Sequence, residues 1–182
     1  MKEEKPGIKL RFPIGKFEKP NEIETKNIQI WITDIGALPR RISLLVKNLK
    51  DTELNWVYRP GGWSIKQVVH HFADSHMNAI IRFKLALTED KPTIKPYLQD
   101  RWATLADAED SPIDNSLKIL EGVHARLVRL LKSLNKDDLK REFIHPEYEK
   151  NFSIAENIGI YAWHCNHHLA HIKQAIEFKG KF

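Results

Sequence analysis

The chain is poor in the residues that build disulfide-bonded or fibrous proteins. Its 182 residues include one cysteine, Cys165, together with eight glycines and nine prolines. A single cysteine excludes an internal disulfide and suits a reducing compartment. Glycine and proline are too few for a fibrous protein, and a hydrophobic fraction of 42% is too high for a disordered chain.

The sequence also lacks a long apolar run. The longest stretch without Asp, Glu, Lys or Arg is 157–172, and it contains two asparagines and four histidines. A membrane helix needs about 20 mostly apolar residues, so no span is predicted. The first residues, MKEEKP, have no apolar segment of the kind found in a signal peptide. We therefore expect a cytoplasmic protein.

An excess of basic residues raises the question of nucleic-acid binding. The chain has 29 Lys and Arg against 24 Asp and Glu, a formal charge of +5. A nucleic-acid interface needs this charge on one face, whereas acids interrupt the basic residues here, as at 132–141. The charge pattern is typical of a solvated surface, and nucleic acid is not an expected partner.

Beyond residue 20 the apolar positions recur every three or four residues, which predicts helices. Four long ones are expected, at 22–49, 64–88, 112–134 and 153–178, with at most a short helix near 100–105. Gly36 and Pro39 lie inside the first of them, where we expect a kink or a break. Because no alternating strand pattern competes, the predicted fold class is all-α, a four-helix bundle.

The ends of the predicted helices carry recognisable signals. Ser64 with Gln67, and Ser153 with Glu156, each have the spacing of a capping box at a helix start. The first 20 residues contain three prolines and two glycines, which predicts an extended arm rather than a helix. The expected organisation is therefore an arm at 1–20 and one bundle domain at 21–182, with 136–152 polar and irregular.

Seven of the nine histidines fall in two windows about 90 residues apart, 70–76 and 163–171. Within the second window, His164 and His168 lie one helical turn apart on one face. Two imidazoles placed in this way can bind one metal ion. His171 lies close to the same face, whereas His167 points elsewhere.

A third ligand is expected from the first window, but helical angles do not choose between two candidates. His76 lies on the apolar stripe of its helix, and His71 lies on a polar strip with Asn78 and Arg82. Two other residues fit a packing role better than a ligand role. Cys165 lies on an apolar stripe and His124 occupies a core position, as a buried and hydrogen-bonded histidine would.

Two long motifs resemble the DinB/YfiT-like superfamily. They are GGWSIKQVVHHFADSHMN at 61–78 and WHCNHHLAHI at 163–172. Shorter segments also resemble it, namely FPIG at 12–15, IRFK at 81–84, KPY at 95–97 and HPE at 145–147. The resemblance covers nearly the whole chain and implies a four-helix bundle, often assembled as a homodimer.

The resemblance also implies one divalent metal ion, Zn²⁺ or Ni²⁺, held by three histidines. Matched by motif, these are His71, His164 and His168. Asp74 and His76 then become candidates for residues that orient the ligands. Three histidines leave a coordination position open for water or substrate, as catalytic zinc sites do.

The activity implied by the resemblance is that of a metal-dependent hydrolase acting on a small molecule, with the metal activating water. A second reading is transfer of a low-molecular-weight thiol of the bacillithiol type, with the same metal stabilising a thiolate. A third is a bundle without catalysis whose metal is structural. The sequence lacks His-Glu-x-x-His, so the general base of a metalloprotease is missing, and no other base is assigned.

Several residues near the histidines are candidates for contact with a substrate. Asn78 and Arg82 continue the polar strip of His71, where they would hold an anionic group. Tyr161 and Asn157 extend the face of His164 and His168 toward the start of their helix. Two loop residues could cover the pocket, and these are Trp102 and His145.

Overall fold

The computed structural model describes residues 6–182, and most of them are helical. The helices are α1 (Pro6–Arg11), α2 (Thr25–Val46), α3 (Asp51–Leu54), α4 (Ile65–Thr88), α5 (Gln99–Trp102), α6 (Ala106–Glu109), α7 (Asp114–Lys132), α8 (Lys136–Lys140) and α9 (Ile154–Phe178). Two short strands, β1 (Glu142–His145) and β2 (Lys150–Ser153), lie between α8 and α9. The fold class predicted from the sequence is therefore confirmed.

The four long helices α2, α4, α7 and α9 form a bundle around one apolar core. Helices α2 and α4 each pack against both α7 and α9. The two long helices that come first in the chain therefore lie across the bundle from each other. This order makes α4 and α9 neighbours, so the two histidine windows face one another.

Helix α4 begins where its sequence predicts. The Ser64 hydroxyl accepts a hydrogen bond from the Gln67 amide at 3.2 Å, and the Ser64 amide donates to Gln67 Oε1 at 3.0 Å. Such a reciprocal cap satisfies two backbone donors that a helix start leaves free. It fixes the first turn of α4, two turns before His71.

Helix α2 is continuous through Pro39, so the expected break is absent. Its residues Ile35, Leu38 and Ile42 are fully buried. Each buried side chain contributes about 1.5–3 kcal/mol, and together they outweigh the cost of about 3 kcal/mol for an internal proline.

The N-terminal arm is less extended than the sequence suggests. Residues 6–11 form helix α1, and no helix follows until residue 25. The expectation of no helix was wrong for this turn because proline is well tolerated at a first helical position, where its missing N–H costs nothing. Of the predicted arm, residues 1–5 lie outside the described part of the chain.

The segment expected to be irregular, 136–152, contains α8 and a hairpin. Strand β1 pairs antiparallel with β2, with Phe143 opposite Phe152, and Ile94 donates a backbone hydrogen bond to the Ile144 carbonyl at 3.0 Å. Strands of four residues are too short for an alternating pattern to identify them.

The start of α9 departs from the predicted capping box. The Ser153 hydroxyl accepts from the Glu156 amide at 3.1 Å, as expected. The Glu156 carboxylate instead accepts hydrogen bonds from Lys19 and Lys150. Two charged partners, Lys19 from the arm and Lys150 from β2, have taken the place of the backbone N–H.

None of the helices in residues 6–182 is both long enough and apolar enough to cross a membrane.

Candidate metal centre

The three histidines expected to bind a metal ion lie together between α4 and α9. One nitrogen from each of His71, His164 and His168 lies within 4.8 Å of the others. His71 and His168 are buried, whereas His164 is partly exposed. The group could therefore hold a metal ion.

The spacing of the nitrogens fits such an ion. The Nε2 atoms of His71 and His164 lie 3.1 Å apart. In a tetrahedral site with zinc–nitrogen bonds of about 2.0–2.1 Å, two ligand nitrogens lie about 3.3 Å from each other. No large movement of α4 or α9 is needed to place both atoms around one ion.

The three imidazoles are held in the neutral form that binds metals. Burial, with a smaller contribution from His167 nearby, lowers the pKa of His71 to about 3. Burial and the neighbouring histidines likewise hold the pKa values of His164 and His168 well below the usual range. Neutral imidazole presents a lone pair to a cation, whereas imidazolium does not.

Aromatic rings form the walls of the group. The ring of Trp63 lies 4.7 Å from that of His71 and 6.3 Å from that of His168. Phe72, which is fully buried, lies beside both His164 and His168. These rings restrict the orientation of the imidazoles and keep water from their sides.

A second group of histidines overlaps the first. Nitrogens of His167, His168 and His171 also lie within 4.8 Å of one another, and all three residues are buried. His171 Nδ1 lies 3.2 Å from His168 Nδ1, and His171 Nε2 lies 3.1 Å from the Arg11 carbonyl oxygen. The sequence placed His171 near the ligand face but gave no sign of its contact with the arm.

His76 lies beside the group rather than in it. Its Nε2 lies 3.3 Å from His164 Nδ1, the nitrogen that faces away from His71. The His76 ring stacks on that of His124, with centroids 4.7 Å apart. Within residues 6–182, His76 does not complete a metal-competent group with His164 and His168.

The structure places Asp74 away from the histidine nitrogens. Burial, with a smaller contribution from the charge of Asp107, raises the pKa of Asp74 to about 6. Among residues 6–182, Asp74 shares no side-chain hydrogen bond with His71 or His164. Its carboxylate interacts electrostatically with Asp107 on α6 and with Tyr97.

Two packing predictions can be checked directly. Cys165 is fully buried in the core, and burial raises the pKa of its thiol. His124 is 2% exposed, and its Nδ1 lies 2.6 Å from the Ile35 carbonyl oxygen. Both side chains therefore pack inside the bundle, as the sequence predicted.

A cavity of about 540 Å³ opens beside the histidine group, and His164 forms part of its wall. Helices α4 and α9, the hairpin and the loop before α5 enclose it. Besides His164, its lining includes buried or half-buried polar residues, namely Ser75, Arg82, Tyr97, His145, Asn157 and Tyr161. A small molecule in this cavity would contact the histidine group.

Only some of the residues expected to contact a substrate line the cavity. Arg82 Nη1 lies 3.4 Å from the Tyr161 hydroxyl, and both side chains line the cavity. Asn78 does not line it, because its amide nitrogen donates to the Asp74 carbonyl in its own helix at 2.9 Å. Trp102 packs on Tyr97, a cavity residue, with ring centroids 4.5 Å apart.

Tyr97 and Ser75 line the cavity, although the sequence did not indicate either residue as a candidate for substrate contact. Burial raises the pKa of Tyr97 strongly, although a hydrogen bond with Ser75 opposes the rise. Tyr97 lies in a loop, where no periodicity reveals which side of the chain is buried. The small side chain of Ser75 becomes informative only when α9 is in place.

The molecule is a four-helix bundle with a cluster of neutral histidines between two helices and a cavity beside that cluster. These features together are typical of a metal-binding helical bundle. A family model described as the DinB superfamily matches residues 35–172. The chain belongs to the DinB superfamily.

Related proteins extend the match to most of the chain. A protein of Bacillus cereus (strain 03BB102), provisionally named a metal-dependent hydrolase, is 50% identical over 163 residues, which are 90% of this chain and 93% of the relative. A protein of Bacillus thuringiensis subsp. konkukian (strain 97-27) with the same provisional name matches to the same extent.

A solved structure agrees with the fold. YfiT from Bacillus subtilis is 38% identical, and the match has a TM-score of 0.91 and covers 94% of this chain and 98% of YfiT. YfiT is described, again provisionally, as a metal-dependent hydrolase with an unusual four-helix bundle topology. In this chain too the order of the helices is unusual, because α2 and α4 follow each other in the sequence but lie across the bundle from each other.

Proposed function

We propose that this protein is a hydrolase that acts on a small molecule with one divalent metal ion, held by His71, His164 and His168. The observation that carries the proposal is the convergence of three neutral imidazoles, one of which, His164, forms part of the wall of a cavity. The names of its relatives support the same reaction class.

Hydrogen bonding favours this set of ligands over the overlapping group. A carbonyl oxygen only accepts, so His171 Nε2 carries the proton that bonds to the Arg11 carbonyl. In a neutral ring the other nitrogen, Nδ1, then accepts from His168 Nδ1. His171 has no nitrogen left for a metal, whereas His168 Nε2 keeps its lone pair.

The same reasoning gives His76 a role. If His164 binds the ion through Nε2, its Nδ1 carries a proton and donates to His76 Nε2. A hydrogen bond of this kind fixes the tautomer and the orientation of a ligand histidine. We assign His76 to positioning His164, and we assign no such role to Asp74.

A divalent ion in this position would act as a Lewis acid that makes water a nucleophile near neutral pH. The chain supplies the rest of the site. Trp63 and Phe72 exclude water from the sides of the imidazoles. Arg82 and Tyr161 line the cavity where the substrate would be held.

Metal analysis tests the proposal. The purified protein should hold about one equivalent of a divalent ion, zinc before nickel because three imidazoles with an open position are typical of catalytic zinc sites. His71→Ala, His164→Ala and His168→Ala should each lose the ion. His70→Ala is the matched control, because the His70 ring bonds to Ser116 and Ser111 on the other side of α4. A wild-type protein without stoichiometric metal would overturn the proposal.

Turnover assays separate hydrolysis from thiol transfer. The metal-loaded protein should hydrolyse electrophilic esters and halides without added thiol. Consumption that requires a low-molecular-weight thiol and yields its conjugate would replace the hydrolase with a transferase. If the metal changes only the melting temperature and neither kind of turnover is seen, the role of the metal is structural. The cavity beside His164 supports the catalytic reading.

Three further expectations stay predictions. They are assembly as a homodimer, which analytical ultracentrifugation would measure, a cytoplasmic location, and the absence of nucleic-acid binding, which a gel-shift assay at low salt would measure.

A further inference from the structure

Among residues 6–182, Arg82 has no counterion, and its half-buried side chain lines the cavity. No carboxylate in residues 6–182 lies within 4.0 Å of its nitrogens. Its Nε is buried and has no hydrogen-bond partner among these residues, and its Nη1 reaches only the Tyr161 hydroxyl at 3.4 Å. A half-buried guanidinium in this state has lost part of its hydration without an ionic partner in return.

The groups around Arg82 do not supply the missing charge. Burial lowers the pKa of His145, and the positive charge of Arg82 lowers it further, so this neighbour stays neutral. The Tyr161 hydroxyl is buried and its pKa is raised, so it is neutral as well. The acids that line the cavity, Asp100 and Glu147, are exposed at its outer side.

A second unpartnered group lines the same cavity from α9. Asn157 is 4% exposed, lines the cavity, and its Nδ2 has no hydrogen-bond partner in the described residues. An amide donor and a guanidinium together match the oxygens of a carboxylate or a phosphate. Apolar rings of Phe143 and Phe152 line the cavity too, and they suit a carbon skeleton behind that anionic group.

We propose that the cavity binds its substrate through a carboxylate or phosphate group held by Arg82 and Asn157. Tyr161 lies between Arg82 and His164, with its ring centroid 5.8 Å from that of His164. The anionic end of the substrate therefore sits at Arg82, and the bond to be cleaved lies toward His164. This orientation rests on the proposed function, whereas binding of the anion does not.

Matched aromatic probes test the binding without any turnover. Benzoate and benzamide have nearly the same shape and differ in charge, and phenyl phosphate tests the other oxyanion. Calorimetric titration of the protein as purified should show benzoate or phenyl phosphate binding at least about tenfold more tightly than benzamide, as charge-assisted hydrogen bonds require. The stronger of the two anions identifies the group that the site prefers. Equal affinity for all three probes would overturn the proposal.

Variants test whether the anion binds at Arg82 or at the metal. Arg82→Gln should lose the preference for the anion, and Arg82→Lys should keep part of it. Arg101→Gln, at the exposed rim of the same cavity, should change it by no more than about twofold because solvent screens that charge. Asn157→Asp should weaken the binding of the two anions more than that of benzamide.

His168→Ala separates this proposal from the metal centre. It should lose the metal and keep the anion preference. Loss of that preference in His168→Ala but not in Arg82→Gln would show that the anion binds the metal instead. If Arg82→Gln does not fold, the comparison of the lysine variant with the wild type still decides the outcome.

Discussion

The Nδ1 atoms of His168 and His171 lie 3.2 Å apart, and His171 is bonded in turn to the backbone of the N-terminal arm at Arg11. This chain of two hydrogen bonds allows His168 one tautomer, with its lone pair at Nε2. The orientation of the proposed ligand His168 thus depends on Arg11, which lies 160 positions before His171 in the sequence.

The first prediction concerns His171. His171→Phe should keep the stacking on Tyr58, whose ring lies 3.8 Å away, but it removes the acceptor for His168. We expect metal affinity to fall about 10- to 100-fold, as loss of such an outer hydrogen bond does elsewhere. Competition with a chelator measures it.

His171→Asn is the matched variant, because its side-chain oxygen can accept from His168. It should retain more affinity than the phenylalanine variant. If both variants lose the same metal affinity, and the loss follows a fall in the melting temperature of the metal-free protein, His171 has only a packing role.

The second prediction concerns a close approach of the arm to α9. A Cβ at Gly159 would lie 2.9 Å from Phe17 Cζ and 3.0 Å from Trp31 Cη2. Gly159→Ala should therefore destabilise the protein by about 1–3 kcal/mol, since overpacking outweighs the gain in helix propensity. Chemical denaturation measures the free energy of unfolding.

Gly36 in α2 provides the comparison. A Cβ there would meet only Val128 Cγ2 at 3.4 Å, an ordinary contact. Gly36→Ala should stabilise the protein by up to about 1 kcal/mol. A stabilised Gly159→Ala variant would contradict the tight fit of the arm.

The third prediction concerns pH and His124. Burial lowers its pKa to about 4, although its hydrogen bond to Ile35 opposes the shift. Because the unfolded chain takes up this proton near pH 6.5 and the folded chain does not, the stability from His124 is complete above pH 6.5. It falls as the pH drops toward 4, by about 3 kcal/mol in total.

His124→Asn tests this link, because it keeps a donor for Ile35 and removes the titration. The variant should lose less stability than the wild type between pH 7 and pH 5, measured by denaturant unfolding at each pH. Identical slopes would show that His124 accepts a proton without loss of packing.

The fourth prediction concerns Glu156, which joins the arm to α9. Its carboxylate is 5% exposed and lies 3.0 Å from Lys19 Nζ and 2.7 Å from Lys150 Nζ. Burial raises its pKa, but the two lysines outweigh burial and the net shift is downward. This stability is present above the ordinary carboxyl pKa and is lost as the pH falls through the lowered value.

Glu156→Gln should destabilise the protein by about 1–3 kcal/mol at pH 7 and less below pH 4. Asp137→Asn is the control, since the ion pair of Asp137 with Lys140 is exposed on both sides and should contribute almost nothing. Equal effects of the two substitutions in thermal unfolding would contradict the importance of the arm contact.

The bundle could be predicted because its signals are local. The stripes of the four long helices and the cap at Ser64 depend on residues within one or two turns of each other, and the structure has both. The arm helix and the hairpin were missed. Their stability comes from contacts that no short window contains, such as the bridge between Thr93 and Ile144.

The candidate site could be predicted in part for the same reason. His164 and His168 share a face of one helix, so spacing is enough to pair them. The choice between His71 and His76 depends on how α4 is rotated against α9, and helical angles left it open. The contacts of His171 with Arg11, and of Arg82 with Tyr161, join distant segments and have no counterpart in sequence spacing.

The position of α4 and α9 as neighbours has a consequence for folding. His71 and His164 are 93 residues apart in the chain, and closing a loop of that length costs about 4 kcal/mol of chain entropy. Their nitrogens meet only after that cost has been met, so an ion that needs all three histidines binds the finished bundle and not its precursors. Uptake of the ion would then mark completed folding, and each tenfold rise of the free ion above its dissociation constant would raise the free energy of unfolding by about 1.4 kcal/mol.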